Sequence, residues 1–440
     1  MKPKKNPNDR PLNPVHVIGT NASGLEKLPL YLQEIILSSR KIAAPKRILE
    51  IIPAWWMQSN QKEALPELFP TDQPKELIAW LNQQDCQTIV LASGDPLWFG
   101  IGRFLLESLP KNRLVFHPCA SSLQLAFARL GRPWQDATWI SLHGRDSSPL
   151  SQYLKNRPKA LAILTDPSKG GAKEVREYLR ASGLEKSYAF WICERLGHPQ
   201  ERIQRLHPKE DLNDDLHPLN IVILLAESPL EPDPEELPLF GIEDGDYLQH
   251  DDRPGLMTKR EVRIQLIADL ELPKEGVIWD ICAGVGSIGL EAIRVRPKLQ
   301  LVAIEKRLGA YKLIEENAKR LLVKPHAILE AEALEALTRL NIQKELYYPD
   351  RVILGGGGSK RKELLEVILR RLNPKGIVVI PLATIEAISE LTNVLKEAGC
   401  AASISQHQTS RGVSLNLGTR LAPMNPVFII KGKLKQVKKY

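Results

Sequence analysis

Along the first half of the chain, short apolar runs alternate with stretches of helical period. VHVI at 15–18 runs into Gly19, TIVLA at 88–92 into Ser93-Gly94-Asp95-Pro96, and ALAILT at 160–165 into Asp166-Pro167. YAFWIC at 188–193 precedes Glu194-Arg195, and NIVILLA at 220–226 closes this half. Strand-length runs separated by helix-length segments predict an α/β architecture, and runs that stop on polar turns predict a site at strand ends. The next segment, ESPLEPDPEELPLFG, is rich in proline and acids and has no period, so 228–241 reads as a linker.

The rhythm then resumes. Helices are expected from about Lys259, Ala310, Arg361 and Thr384, with strands at Arg351–Leu354, Ile377–Ile380 and Val427–Ile430. Between them lies the most informative stretch, GVIWDICAGVGSIGLEAIRVRPKLQLVAIE at 276–305. It predicts a strand ending near Asp280, a turn with Gly284, Gly286 and Gly289, a helix over Ser287–Arg294, and a second strand, Leu301–Ile304, ending on Glu305. That is a βαβ unit with a nucleotide-like cleft at the strands' carboxyl ends. The glycine spacing fits a dinucleotide as well as S-adenosylmethionine, and Glu305 is placed for the ribose hydroxyls of either. Asp280, beside the turn, would repel a pyrophosphate and tolerate a sulfonium, which favours S-adenosylmethionine over NAD. The plain alternative is a βαβ turn that binds nothing.

A chain of 440 residues exceeds one ordinary core, so two domains are expected: 14–227 and 242–433, with basic tails at 1–13 and 434–440. An apolar fraction of 43% and a charged fraction of 25% are those of a globular protein, and no apolar run is long enough to cross a bilayer. The amino terminus lacks a signal peptide's apolar core, and five cysteines without ligand spacing fit a reducing compartment; a cytoplasmic location is expected. A net charge of +8 suits a polyanionic small molecule or nucleic acid, although several of the basic residues sit in the tails.

Two further features belong to the second half. Thr258-Lys259-Arg260-Glu261 has capping-box spacing, either a plain cap or a helix start that closes over a ligand. Asp350–Leu354 runs into Gly355-Gly356-Gly357-Gly358, where something must pass close to the backbone. Enzymes that methylate nucleobase nitrogens commonly hold the base there with an Asn/Asp-Pro-Pro-aromatic turn, which this chain lacks.

The run from MTKREVR through IWDICAGVGSIGLEAIR, AEALEAL, DRVILGGGGSKRKELLE and NPVFIIKGK resembles the decarboxylating precorrin methyltransferases of cobalamin biosynthesis. The resemblance implies a Rossmann-like class I fold. It also implies S-adenosylmethionine contacts from Thr258, the turn Cys282, Ala283, Gly284, Val285 and Gly286, then Glu305, Glu332 and Ala333. Cys282 and Val285 depart from the family's usual glycine and small polar residue; Cys282 is small enough for the turn, and Val285 removes a hydroxyl contact.

In the first half VHVIGTNASGL, LASGDPLWFGIGR, HPCASSLQLAFARLGRPW, ISLHGRD, ILTDPSKG and CERLGHPQERI occur in the order seen in cobalamin-pathway tetrapyrrole methylases acting at C5. That resemblance implies a two-lobed domain with a second S-adenosylmethionine site between the lobes. Its contacts would be Gly19, Gly94, Asp95, Pro96, Ala120, Ser121, Ser122, Thr165 and Asp166. Asn21 and Cys119 replace frequent glycines and would narrow this pocket.

The fused pair resembles a bifunctional methyltransferase family that methylates C5 and C15 of a precorrin and removes the ring C acetate carboxyl. Candidate substrate contacts are Lys259, Arg260, Arg263, Gly355, Gly356, Gly357, His143 and Arg145; for His143 the plain alternative is a satisfied structural group. No catalytic acid, base or metal ligand is assigned. The expected partners are the tetrapyrrole substrate and further copies of the chain, without nucleic acid or membrane. The rival readings are an RNA methyltransferase, which the absence of an aromatic-interleaved basic patch disfavours, an NAD-dependent dehydrogenase, and a non-enzymatic binding module.

Overall fold

The computed structural model describes residues 13–435 except 60–63, 209, 214, 234, 251–254, 340–343, 357 and 416–417. The chain divides into two compact units. One comprises the described residues within Met1–Ser147, Lys159–Lys173 and Phe190–Leu225, the other those within Ser148–Pro158, Glu174–Ala189 and Ala226–Tyr440.

The first unit contains two five-stranded sheets. Strands β1 (Val15–Thr20), β2 (Lys41–Ala44), β3 (Glu67–Pro70), β4 (Thr88–Ser93) and β5 (Leu114–His117) pair in parallel in the order β3-β2-β4-β1-β5. Ile18, Ile42 and Leu91 enter one core and Val17, Ala43 and Val90 the other, so both faces are buried and the strands read as unbroken apolar runs. The second sheet is mixed: β6 (Ala137–Ser141), β7 (Ala160–Leu164), β8 (Tyr188–Glu194), β9 (Arg202–Leu206) and β10 (Asn220–Ala226), in the order β6-β7-β10-β8-β9.

The second unit is built on a seven-stranded sheet. Its strands are β11 (Gly276–Ile281), β12 (Leu299–Glu305), β13 (Ala327–Glu330), β14 (Arg351–Leu354), β15 (Ile377–Leu382), β16 (Cys400–His407) and, after the two-stranded pair β17 (Ser410–Leu415) and β18 (Gly418–Pro423), β19 (Val427–Leu434). The order is β13-β12-β11-β14-β15-β19-β16, parallel from β13 to β15 and antiparallel beyond. Alternate residues serve opposite cores: Val277, Trp279 and Ile281 on one face, Ile278, Leu301 and Ile353 on the other. Order reverses at β11, and a doubly wound sheet opens its ligand crevice at such a switch point.

The segment expected as a linker has neither helix nor strand among its described residues, yet it is tied down. Arg294 donates to the Pro238 and Leu237 carbonyls at 3.1 and 3.4 Å, and Arg320 donates to Leu230 at 2.5 Å.

The predicted capping box does not form. The helix is Arg260–Asp269 with Lys259 at its N-cap and no side-chain cap of its own. Asp244 Oδ1 instead accepts from the Arg260 amide at 3.0 Å, while Glu261 turns away to take two bonds from Arg411 at 2.8 Å. A remote carboxylate satisfies the helix's free N–H as a local one would.

Candidate functional site

In the second unit the predicted βαβ turn forms at the carboxyl ends of β11 and β12. Cys282, Gly284 and Gly286 all take positive φ, at 61°, 59° and 79°. A side chain at Gly284 would enter open space, with no atom within 4 Å, whereas one at Gly286 would strike Ile314 at 2.9 Å. Gly284 thus leaves a bare cradle on the crevice side and Gly286 permits close packing beneath it. Cys282 carries the strain of a left-handed non-glycine residue.

Glu305, 7% exposed, accepts from the Gly284 amide at 2.8 Å through Oε2 and from the Arg307 amide at 3.2 Å through Oε1. Each oxygen keeps a lone pair for a further donor. The Ala331 amide bonds the Glu305 carbonyl at 3.0 Å, and Lys306 Nζ lies 3.4 Å from Glu332, so β13's end, with Glu332 and Ala333, stands beside Glu305. On the other flank Gly355 donates to the Ile281 carbonyl at 2.9 Å, and a side chain there would lie 3.1 Å from the Cys282 carbonyl oxygen. Cys282–Gly286, Glu305, Glu332, Ala333, Gly355 and Gly356 are thereby gathered at neighbouring strand ends. Gly357 lies outside the described residues.

Several expectations need correction. Val285 is 1% exposed and its side chain belongs to the core, so only its backbone faces the turn, and there its carbonyl already accepts from Asn317 at 3.1 Å. Arg263 is unavailable to a substrate. It is fully buried, its Nε on Glu291 at 2.8 Å and its Nη1 on Asp244 and the Thr258 carbonyl at 2.6 Å, with Nη2 on the Ile242 carbonyl. Arg260 is spent on the Gly241 carbonyl at 2.6 Å and on Glu243 at 3.3 Å. Lys259 lines a small cavity shared with Arg157 and Arg411.

Asp280 does not discriminate between ligands either. At 1% exposure its carboxyl does not face a ligand; Oδ2 accepts from the Gly289 amide at 2.9 Å. Burial pushes the group up to about 7, aided by the Glu305 charge and opposed by the Gly289 bond. Asp280 therefore pins the helix to β11 and says nothing about pyrophosphate.

The first unit has a cavity of about 490 Å³ where strands of both its sheets end. Its wall includes Gly94, Asp95, Ala120, Ser121, Ser122, Thr165, His143 and Arg145, all singled out from sequence. Gly19 lies under the wall, since a side chain there would meet the Gly94 carbonyl oxygen at 2.4 Å and Cys119 at 2.8 Å. Ser121 starts the helix Ser122–Arg129 with a true capping box, its amide donating to Gln124 Oε1 at 2.8 Å. Thr165 Oγ1 donates to Asn220 Oδ1 at 2.8 Å. Asn21 closes a turn by accepting from the Ser23 amide at 2.9 Å and stays on the wall.

Pro96 and Asp166 serve the loops rather than the wall. The Pro96 carbonyl accepts from Gly102 at 2.8 Å; the Asp166 carboxylate accepts from Ser168 Oγ at 2.7 Å and from the Gly144 and Ser168 amides at 2.9 and 3.0 Å. The bond from Ser168 foremost, joined by those amides, holds Asp166 below the usual carboxylate range. His143 is exposed on the wall and is not a buried structural histidine.

Two family models match the chain: the precorrin methyltransferase domain over residues 246–432 and the tetrapyrrole (corrin/porphyrin) methylases over 14–210. The precorrin-6Y C(5,15)-methyltransferase (decarboxylating) of Sinorhizobium sp is 32% identical over 305 residues, which cover 69% of this chain and 70% of that relative. The chain belongs to the precorrin-6Y C5,15-methyltransferase (decarboxylating) family.

A cobalt-precorrin-6B C(15)-methyltransferase (decarboxylating) of Salmonella typhi is 32% identical over 40% of this chain and 87% of its own length. The crystal structure of precorrin-6y C5,15-methyltransferase from Geobacter metallireducens GS-15 aligns with 27% identity over 45% of this chain and 99% of that chain, at a TM-score of 0.40. A precorrin-6Y C5,15-methyltransferase works in cobalamin biosynthesis on a precorrin, and its methylase domains imply S-adenosylmethionine. The RNA, nicotinamide and binding-module readings fall away. Among the described residues no helix is long and apolar enough to cross a membrane.

Part of the first cavity's wall, Arg47, Trp98, Phe99, Arg195 and Asn220, is not among the residues expected from sequence. Trp98 and Phe99 stand inside the motif LASGDPLWFGIGR and Arg195 follows a predicted strand, so chain order carries a signal for them. Arg47 lies on the short helix Lys46–Leu49 after β2, which the apolar pattern did not reveal. Arg145 stacks over Phe99 at 5.5 Å, and Arg47 and Arg195 bond the neutral Ser93 and Gln200. None of the three is paired with a carboxylate among the described residues.

Proposed function

We propose that each methylation has its own S-adenosylmethionine site. On this reading the tetrapyrrole methylase domain over 14–227 methylates C5, and the Rossmann-like domain over 242–433 methylates C15 and decarboxylates the ring C acetate, giving precorrin-8. One observation carries the reading: two separate clefts at strand carboxyl ends, the 490 Å³ cavity in the first unit and the glycine crevice of β11–β14 in the second. The Salmonella typhi relative supports the division, since nearly all of its shorter chain is matched and its name carries only the C15 reaction.

The residues fit the cofactor. Gly284's open cradle and the Glu305 carboxylate suit an adenosine whose amino acid arm lies along the turn, with Thr258, Glu332 and Ala333 as further contacts. Gly94, Asp95, Ala120, Ser121, Ser122 and Thr165 would hold the donor in the first cavity, with Gly19 and Pro96 shaping the loops beneath. S-adenosylmethionine supplies a methyl group on a cationic sulfur. The accepting carbons of the macrocycle are electron-rich, so displacement requires alignment more than a strong base. Arg47, Arg145 and Arg195 would pair with the macrocycle's carboxylates and Trp98 and Phe99 would lie against its face. In the second unit Gly355 and Gly356 let the substrate pass close to the backbone. Loss of CO₂ leaves an electron pair that the conjugated ring takes up before protonation at carbon.

Titrating the full chain with S-adenosylhomocysteine tests this reading. Two molecules per chain are expected; one, or none, would overturn it. A cytosolic homo-oligomer completes the proposal, and light scattering reads its size.

A further inference from the structure

A second, smaller cavity of about 80 Å³ lies in the second unit, outside the crevice. Arg157, Lys259 and Arg411 line it with the hydroxyl-bearing Ser151 and Ser182. Arg157 is 7% exposed, and its Nη2 is buried without a hydrogen-bond partner among the described residues. A buried, unpartnered guanidinium nitrogen is costly, because charge has left water without compensation.

The neighbouring acids are already matched. Arg411 bonds both oxygens of Glu261 at 2.8 Å, Asp244 at 3.2 Å and the Ala181 carbonyl at 3.2 Å. Asp244 also receives Arg263 at 2.6 Å, and Arg263 binds Glu291 at 2.8 Å. Among the described residues, four cations, Arg157, Lys259, Arg263 and Arg411, thus face three carboxylates, Asp244, Glu261 and Glu291, while Glu243 is taken by Arg260 at 3.3 Å. Among the described residues Lys259 donates only to the Gly255 carbonyl, at 3.2 Å. Burial, reinforced by Arg157, Arg411 and Arg263 and opposed by Asp244, pulls Lys259 down to about 8.

We infer that this cavity is an oxyanion site that receives one carboxylate or phosphate group between Arg157 and Lys259. The space exceeds a single water's share of roughly 30 Å³ and is far too small for a nucleotide or a tetrapyrrole ring. A water would give Nη2 an acceptor but would leave the excess positive charge. An oxyanion supplies both, and guanidinium binds such a group with directed, charge-assisted bonds. The group has two sources: a free inorganic anion, or a carboxylate arm of the macrocycle, the second resting on the proposed C15 site nearby in sequence at Thr258.

Calorimetry of the full chain with inorganic phosphate, and separately with acetate, tests the inference against Arg157→Met and Lys259→Met. Saturable binding of either anion by the wild type, weakened about tenfold or more in Arg157→Met and less in Lys259→Met, is expected. Arg157→Met should keep or raise the melting temperature without anion, since it removes an uncompensated charge. The source is read from C15 methylation kinetics. If a macrocycle arm fills the site, phosphate raises KM at unchanged kcat and Arg157→Met does the same; if a free anion fills it, phosphate binds and KM stays. Indistinguishable titrations of wild type and Arg157→Met with both anions, together with equal KM, would overturn the inference. The calorimetric arm needs no turnover, so failure here is separable from failure of the proposed C15 site.

Discussion

Single residues in this chain show how position overrides type. Arg263 looks from sequence like a surface cation on a helix, but it is the hub of a buried network with Asp244, Glu291 and Tyr247, whose ring centroid lies 5.0 Å from the guanidinium. Removing it leaves the buried Glu291 without a cation among the described residues and Asp244 with Arg411 alone, so Arg263→Met is expected to cost about 3–5 kcal/mol, read as a fall in the urea midpoint of the second unit. Asp280 behaves in the opposite sense. Its folded pKa, raised to about 7, means that the folded state holds a proton which the unfolded chain releases near pH 4. Its contribution is therefore most favourable below pH 4 and is lost as pH rises toward 7. Asp280→Asn keeps an acceptor for the Gly289 amide and removes the titration. Relative to the wild type, this variant's melting temperature should rise between pH 5 and pH 8; parallel curves would refute the assignment.

Among elements, the long central strands were legible because both faces are buried and the apolar runs are continuous. The edges were not. β3 and β13 are four residues each, and β16, CAASISQH, is a largely exposed edge strand of small and polar residues around a single isoleucine, so none stands out as an apolar run. The glycine turn was read correctly as a strand-to-helix connection, but the roles of its glycines needed coordinates. Gly289 is a packing glycine: a side chain there would meet Leu301 at 2.7 Å and the Asp280 carboxyl at 2.9 Å. Gly289→Ala must push the helix from the sheet and should cost about 1–3 kcal/mol, with S-adenosylhomocysteine affinity in the second unit falling alongside. Unchanged melting temperature and affinity would show that the helix does not need this contact. The capping box over Thr258–Glu261 was misread because the sequence cannot show that Asp244 and Arg411, distant in the chain, claim both ends of it.

At the scale of the whole molecule, ordered motifs made both family halves legible, whereas the cavity wall was only partly so. Arg47 reaches the first cavity from a helix with no motif of its own, and the role proposed for it rests on its having no carboxylate partner among the described residues. The net charge of +8 fits a polyanionic substrate, and the arginines of that cavity, which have no carboxylate partner among the described residues, give it a local meaning. The central claim is a division of labour. Gly94 and Gly284 both take positive φ, and a side chain at either meets nothing closer than 3.6 Å, so asparagine, which tolerates this backbone, would fill one cleft at a time. The decisive measurement is mass analysis of products from precorrin substrate and labelled donor with each variant and with the two mixed. Gly94→Asn should lose one methyl addition and keep CO₂ release, Gly284→Asn should lose the other methyl and the CO₂ release together, and the mixture should restore both methylations and the decarboxylation. CO₂ release that vanishes with Gly94→Asn and survives Gly284→Asn, or a mixture that fails to restore the full product, would contradict the account.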